Sequence, residues 1–129
     1  VRIVNQSDDA DFAFVESSYN THGYMTDGAR LTGRRDPTTN MSVKSYGASS
    51  GIKTGTVLDT DVDGEWSNIY FYDLFSTSIP TAHGDSGAAY TYNNTDLVGV
   101  LKGGLGGYSV SVGTKVMNII NGFDVQPSI

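Results

Sequence analysis

The segment from His83 to Ala89 holds the residue types of a nucleophilic catalyst. Ser86 carries a hydroxyl that can attack a carbonyl carbon, and Gly84 and Gly87 stand close on either side of it. Because Gly84 has no Cβ, it can adopt the backbone angles that turn its N–H toward the same point as the N–H of Ser86. Two convergent N–H groups beside a nucleophile form an oxyanion hole, which stabilises the negative oxygen of an acyl-transfer transition state. The spacing therefore predicts acyl transfer at Ser86.

An aspartate near the N-terminus could supply a second part of this chemistry. A serine hydroxyl is a poor nucleophile without an adjacent base, and such a base is commonly an imidazole oriented by a carboxylate. Asp11 opens a short apolar run and is the candidate carboxylate, with Asp8 and Asp9 as neighbouring alternatives. The alternation of the run favours Asp11, because Phe12 and Phe14 must find burial.

The composition excludes several classes of function. The chain has 129 residues, which suits one domain or a piece of a larger one, and a net charge of -6 with no basic run beyond Arg34-Arg35. We therefore expect no nucleic-acid partner. No apolar run approaches the length of a membrane span, so no membrane partner is expected either. Without cysteine there is no disulfide, which leaves microbial, viral or archaeal secretion open.

Short strand-like runs separated by turn residues dominate the chain from residue 41 onward. Six strands are predicted, over residues 41–46, 53–58, 66–75, 88–92, 97–102 and 108–112. Residues 59–65 read as an acidic turn, and residues 93–96 as a hairpin turn. Apolar residues on one side of residues 113–121, followed by Gly122, predict a terminal helix. The pattern fits an all-β fold, a closed antiparallel six-stranded barrel with a C-terminal helix.

Four collinear segments resemble a known family. They are Asp11–Val15, Val43–Val57, His83–Ala89 and Val98–Gly107. The chain resembles the C-terminal portion of a chymotrypsin-fold, trypsin-like serine protease, nearest the bacterial secreted Streptomyces-type branch. That family has two six-stranded barrels with the active site between them. The resemblance implies that residues 1–16 are the last strand of the first barrel, 17–40 the inter-barrel linker, 41–112 the second barrel, and 113–129 the closing helix and tail.

The resemblance also implies roles for the reactive residues. Ser86 would be the nucleophile, Asp11 the carboxylate of the catalytic triad, and the N–H groups of Gly84 and Ser86 the oxyanion hole. In this family the general base is a histidine of the first barrel, ahead of the aspartate in sequence. Neither His22 nor His83 has that place, so the base is expected from an N-terminal segment absent from this chain, as a separate chain or a removed piece.

A further set of residues would hold the substrate, by the same resemblance: Pro80, Thr81, His83, Lys102, Gly103 and Gly104. Pro80 and Thr81 would line an uncharged pocket floor, so no preference for lysine or arginine is expected. Lys102 departs from the small hydroxyl residue usual at its place. Asp85 would be buried and structural, held by a cationic partner, for which Arg30, Arg34 and Arg35 are candidates.

These observations lead to a serine endopeptidase acting through an acyl-enzyme on a peptide or protein substrate, without a cofactor and in a secreted setting. The alternative is a non-catalytic module of the same fold that binds a peptide or protein. Asp59, Asp61 and Asp63 match the first half of a calcium-binding loop. Tyr70 stands where that loop needs a glutamate, so an acidic turn in solvent is the favoured interpretation and no metal site is predicted.

Overall fold

The computed structural model describes residues 2–7, 12–16, 22–66, 68–105 and 109–123. These residues form nine strands and one helix in chain order. The elements are β1 (Arg2–Ser7), β2 (Phe12–Glu16), β3 (Gly33–Arg34), β4 (Ser42–Gly47), β5 (Gly51–Trp66), β6 (Ile69–Thr77), β7 (Ala89–Tyr92), β8 (Asp96–Leu105), β9 (Val110–Lys115) and α1 (Val116–Phe123).

Six of these strands form a ring. The order is β4-β5-β6-β9-β8-β7, and β7 pairs again with β4, so the ring closes on itself. Every neighbouring pair in the ring is antiparallel. The short strand β3 adds to the edge of β8 in parallel. Each of the six strands that the sequence predicted has a counterpart in the ring. Five of them differ from the prediction by three residues or fewer at either end, whereas β5 runs eight residues past its predicted end.

The main core lies inside the ring and follows from the alternation of its strands. Val43 on β4 and Val57 on β5 are buried, whereas neighbouring positions on the same strands face solvent. Phe75 and Tyr90 meet at the centre with their ring centroids 5.2 Å apart. The Tyr90 hydroxyl donates to Ser111 Oγ at 2.5 Å, so this buried polar atom has a partner.

The expected acidic turn at residues 59–65 is wrong, because these residues belong to β5. The four acidic side chains from Asp59 to Glu65 are exposed, and the residues between them are half-buried. Val62 and Trp66 pack on a second apolar cluster formed by Phe71, Leu74 and Val112. The acids therefore occupy the outward face of a strand, and successive ones are spread along it by about 6–7 Å. No group of metal-ligating side chains is found among the described residues.

The N-terminal segment differs from its expected form. It was predicted to hold a single strand, but β1 and β2 form an antiparallel hairpin in which Ile3 pairs with Val15 and Ser7 with Phe12. Residues 1–6 show no clear alternation of apolar and polar residues, so the sequence did not predict β1. Asp11 lies between the two strands, outside the described residues.

The terminal helix begins at Val116, three residues later than expected. Residues 113–115 extend β9 instead, because Thr114 pairs with Leu74 on β6 and with Val100 on β8. The helix packs Ile119 and Ile120 inward. Across the part of the chain that the structure describes, no helix is long and apolar enough to cross a membrane.

The described part of the linker, residues 22–40, is bound to the outside of the ring. Lys44 on β4 donates to Asp27 at 3.1 Å, and Arg35 forms an ion pair with Asp96 at 2.9 Å. The N–H of Thr32 donates to the carbonyl of Thr95 at 2.8 Å. The linker therefore runs along a fixed course over the strands.

Candidate active site

The turn that carries Ser86 connects β6 to β7 and has a definite shape. The N–H of Asp85 donates to the carbonyl of Ala82 at 3.1 Å, and the N–H of Ala88 donates to the carbonyl of Asp85 at 3.0 Å. Gly84 and Gly87 have φ values of 98° and 90°, in the left-handed region that side chains with a Cβ rarely adopt. We call residues 82–88 the nucleophile turn. The two glycines are necessary for its course.

Ser86 lies at the exposed crest of the nucleophile turn. Its hydroxyl donates to the carbonyl oxygen of Lys102 on β8, with 3.1 Å between the oxygens. The Nδ1 of His22 accepts from the N–H of Tyr24 at 3.1 Å, while His83 is exposed on the turn itself. The Ser86 side chain is therefore accessible at the surface of the protein.

The two proposed oxyanion donors, the N–H groups of Gly84 and Ser86, belong to exposed residues of the nucleophile turn. Among the described residues, none accepts a hydrogen bond from the N–H of Gly84 or of Ser86. The neighbouring N–H groups of Asp85, Gly87 and Ala88 are all used inside the protein. Unused donors at exposed positions can bind a ligand oxygen.

Asp85 points away from this surface and is 2% exposed. Its Oδ1 accepts from the N–H groups of Ser49 and Ser50, each at 2.9 Å. Its Oδ2 accepts from the Ser50 hydroxyl at 2.5 Å and from the N–H of Ala82 at 2.9 Å. Burial raises the pKa of Asp85, but hydrogen bonds from the Ser50 hydroxyl and three backbone N–H groups outweigh it, so the pKa lies well below its usual range.

Asp85 was expected to have a cationic partner, and the hydrogen bonds that it accepts come from neutral groups. Arg35 is paired with Asp96, and the guanidinium of Arg30 lies 5.7 Å from the ring of Tyr24. Three of the four donors to Asp85 belong to the turn between β4 and β5, which we call the serine turn (residues 47–51). The sequence feature that indicates this contact is the run Gly47-Ala48-Ser49-Ser50-Gly51, whose small residues allow close approach to Asp85.

The proposed substrate strand lies at the end of β8, beyond Lys102. Gly103 pairs with Val112 and Gly104 with Ser111 on β9. On its other edge β8 pairs with β7 only as far as Val100. No described strand covers that edge at Gly103 and Gly104, and the two glycines themselves carry no side chain there. An extended peptide could therefore add there as a further strand.

Two aromatic residues that the sequence analysis did not select lie beside this strand. The Lys102 ammonium sits 3.6 Å from the ring centroid of Phe71 and 5.2 Å from that of Trp66. The Trp66 indole nitrogen also lies next to Gly103. Both aromatics come from the β5–β6 hairpin. Residues 59–65 of this hairpin were predicted as a turn, so the sequence did not indicate the contact.

The remaining predicted site residues divide into two groups. Pro80 and His83 are exposed, whereas Thr81 is buried, and all three precede Ser86 in the connection from β6. Neither Pro80 nor Thr81 is charged. Asp11 lies outside the described residues, so its distance from Ser86 is not part of the structure.

Solved structures of bacterial proteases share this fold. A chymotrypsin from Cellulomonas bogoriensis matches with a TM-score of 0.78 at 18% identity, over 88% of this chain and 65% of that one. Protease A from Thermobifida fusca matches with a TM-score of 0.73 at 22% identity, over 83% and 59%. A Nocardiopsis protease matches with a TM-score of 0.72 at 20% identity, over 79% and 55%.

The matches confirm the resemblance to bacterial chymotrypsin-fold serine proteases at the level of the fold. The matched region spans 55% to 65% of the length of these three proteases. No protein-family model matches the sequence. The curated proteins contain no significant match to it.

Proposed function

We propose that this chain is the C-terminal portion of a secreted serine endopeptidase, with its ring of six strands as the second barrel. The observation that carries the proposal is an exposed Ser86 on a turn held by a buried carboxylate, where the N–H groups of Gly84 and Ser86 have no acceptor among the described residues. This is the arrangement that acyl transfer requires of a nucleophile and its oxyanion donors.

In the proposed reaction, Ser86 Oγ attacks the carbonyl carbon of the scissile peptide bond and gives its proton to a histidine. The N–H groups of Gly84 and Ser86 hold the developing oxyanion. The peptide C–N bond then breaks, the histidine returns the proton to the leaving amine, and water hydrolyses the acyl-enzyme. The substrate pairs with Gly103 and Gly104, beside the pocket formed by Pro80, Thr81 and His83.

The histidine is the part of the proposal that this sequence does not supply. We propose that it belongs to an N-terminal segment of the same protease, together with the rest of the first barrel, and that Asp11 orients it. The gene sequence upstream of Val1 tests this directly. A histidine in a strand-and-turn context of a first barrel is expected there, and its absence would favour the peptide-binding alternative.

Chemical labelling tests the function itself. The protein expressed from its complete reading frame is treated with a fluorophosphonate, and the modified residue is located by mass spectrometry. We expect Ser86 alone to be labelled, no label in Ser86→Ala, and unchanged labelling in Ser42→Ala, which alters an exposed serine on β4. A complete protein that binds peptides but is never labelled at Ser86 would be a binding module.

A further inference from the structure

Among the described residues, four hydrogen bonds join the serine turn to the nucleophile turn. Three of the four donors to Asp85 come from Ser49 and Ser50. The hydroxyl of Ser49 adds a fourth link, because it donates to the carbonyl of His83 at 2.6 Å. These links connect residues 34 to 36 positions apart in the sequence.

The acceptor capacity of the Asp85 carboxylate is fully used by this arrangement. A carboxylate has about four lone-pair sites, two on each oxygen. Oδ1 and Oδ2 each accept two hydrogen bonds from neutral donors. The backbone of Gly47 lies directly against Oδ1, where a Cβ would overlap the carboxylate. An ammonium or guanidinium group has no remaining acceptor site to occupy.

We propose that Ser49 and Ser50 are positioning residues, which hold the nucleophile turn in its reactive shape without a cation. This inference rests on the proposed function of Ser86. Asp85 lies between Gly84 and Ser86 in the chain, so fixing its carboxylate fixes the peptide groups that carry both oxyanion donors. Every donor to Asp85 among the described residues is a backbone N–H or a hydroxyl, so the bonds that fix the turn there carry no cationic charge.

The depressed pKa of Asp85 agrees with this geometry, since it measures the preference of the site for the ionised carboxylate. We call the Asp85 carboxylate and its four donors, on Ser49, Ser50 and Ala82, the clamp. Two titratable groups lie near it. Tyr90 has a pKa raised to about 12, mainly by burial, so it is neutral at ordinary pH. His83 is exposed on the far side of the turn. The clamp is therefore a single buried anion enclosed by neutral dipoles.

The test uses the complete protein in four forms: wild type, Ser50→Ala, Ser50→Thr and the control Ser42→Ala. A lost bond to a charged acceptor corresponds to about a tenfold effect or more. We expect Ser50→Ala to lower kcat about tenfold with KM within about twofold, because the oxyanion donors act mainly in the transition state. Ser50→Thr keeps the hydroxyl and should restore most of kcat, and Ser42→Ala should match the wild type.

A second readout does not depend on activity. The Asp85 carboxyl carbon is titrated by NMR, and exchange of the Ala88 amide, which donates to the carbonyl of Asp85, is followed in the same samples. Ser50→Ala should move the Asp85 pKa upward and speed exchange at Ala88, with unfolding temperature as a check on folding. If the variant changes neither, or if kcat is unaffected, the positioning role is wrong. An inactive wild type whose Asp85 and Ala88 respond as expected would overturn only the proposed function.

Discussion

Two tight turns flank β7, and they are stabilised in different ways. The turn after β7 places Asn93 and Asn94 at φ values of 55° and 59° and closes with a bond from the N–H of Thr95 to the carbonyl of Tyr92 at 3.1 Å. Two central residues with positive φ and a bond across them are the geometry of a type I′ turn, which matches the twist of its strands. The nucleophile turn before β7 also has left-handed residues, but its key carboxylate is held from the distant serine turn.

The difference shows which of the two turns must hold its atoms in fixed positions. A hairpin turn only has to reverse the chain, and local hydrogen bonds suffice for that. The nucleophile turn has to present a hydroxyl and two N–H groups in a fixed arrangement, and a local turn of glycines cannot hold such a shape because of its conformational freedom. The buried Asp85 and its four donors supply the missing constraint.

The largest effect is expected from Asp85→Ala. The change leaves three N–H groups and one hydroxyl without their buried acceptor, and each such group costs about 1–3 kcal/mol. The free energy of unfolding in urea should fall by about 3 kcal/mol or more, with loss of labelling at Ser86. Asp36→Ala alters an exposed aspartate and should change stability by less than about 0.5 kcal/mol. Equal stability of the two variants would disprove the clamp.

Gly47→Ala should have the next largest effect. A Cβ at Gly47 would overlap the Asp85 carboxylate, so the two turns must separate, at a cost of about 1–3 kcal/mol. Gly122→Ala on α1 is the matched change, because nothing lies near its added methyl group, and it should be neutral or slightly stabilising. Denaturant unfolding of both variants measures the difference. A tolerated alanine at position 47 would show that the turns are not in close contact.

Acid should weaken the clamp by a smaller, graded amount. The pKa of Asp85 is lower in the folded chain than its ordinary value of about 3.9 in an unfolded chain. Its stabilising contribution is therefore complete above about pH 5, decreases below the unfolded pKa, and is lost as pH falls through the folded pKa. Unfolding free energies of wild type and Asp85→Asn, measured from pH 6 to pH 3, should converge toward acid. A constant difference would contradict the depressed pKa.

The hairpin turn should give the smallest effect. Asn93→Ala places a less tolerant side chain at a positive φ and should cost about 1 kcal/mol. Asn93→Gly should be near neutral, because glycine adopts this region freely. Neither variant should change labelling of Ser86, measured in the same assay as the clamp variants. Loss of labelling in Asn93→Ala would show that the two turns are coupled.

The sequence predicted the features that depend on neighbouring residues. The hairpin at Asn93-Asn94 follows from two residues that tolerate positive φ between alternating strands. The six strands of the ring follow from short strand-like runs bounded by turn residues, with period-two alternation in residues 41–46. The placement of Ser86 on an exposed glycine-flanked turn also needed only local spacing.

Features that depend on distant contacts were missed or mispredicted. Asp85 was expected to need a cation, because the sequence does not show that Ser49 and Ser50 would fold against it. Residues 59–65 were taken for a turn, because four acids in seven residues suggest solvent on all sides. In the fold only one face of β5 is solvated, and the other brings Trp66 to Lys102 and Gly103.

A crystal structure of the complete protein with a peptidyl phosphonate would test the central claim most directly. We expect a covalent bond from Ser86 Oγ to phosphorus, one phosphonate oxygen about 2.7–3.1 Å from the amide nitrogens of Gly84 and Ser86, and the peptide paired with Gly103 and Gly104. An inhibitor bound elsewhere, or a phosphonate oxygen turned away from both amides, would contradict the assignment of this turn as the catalytic centre.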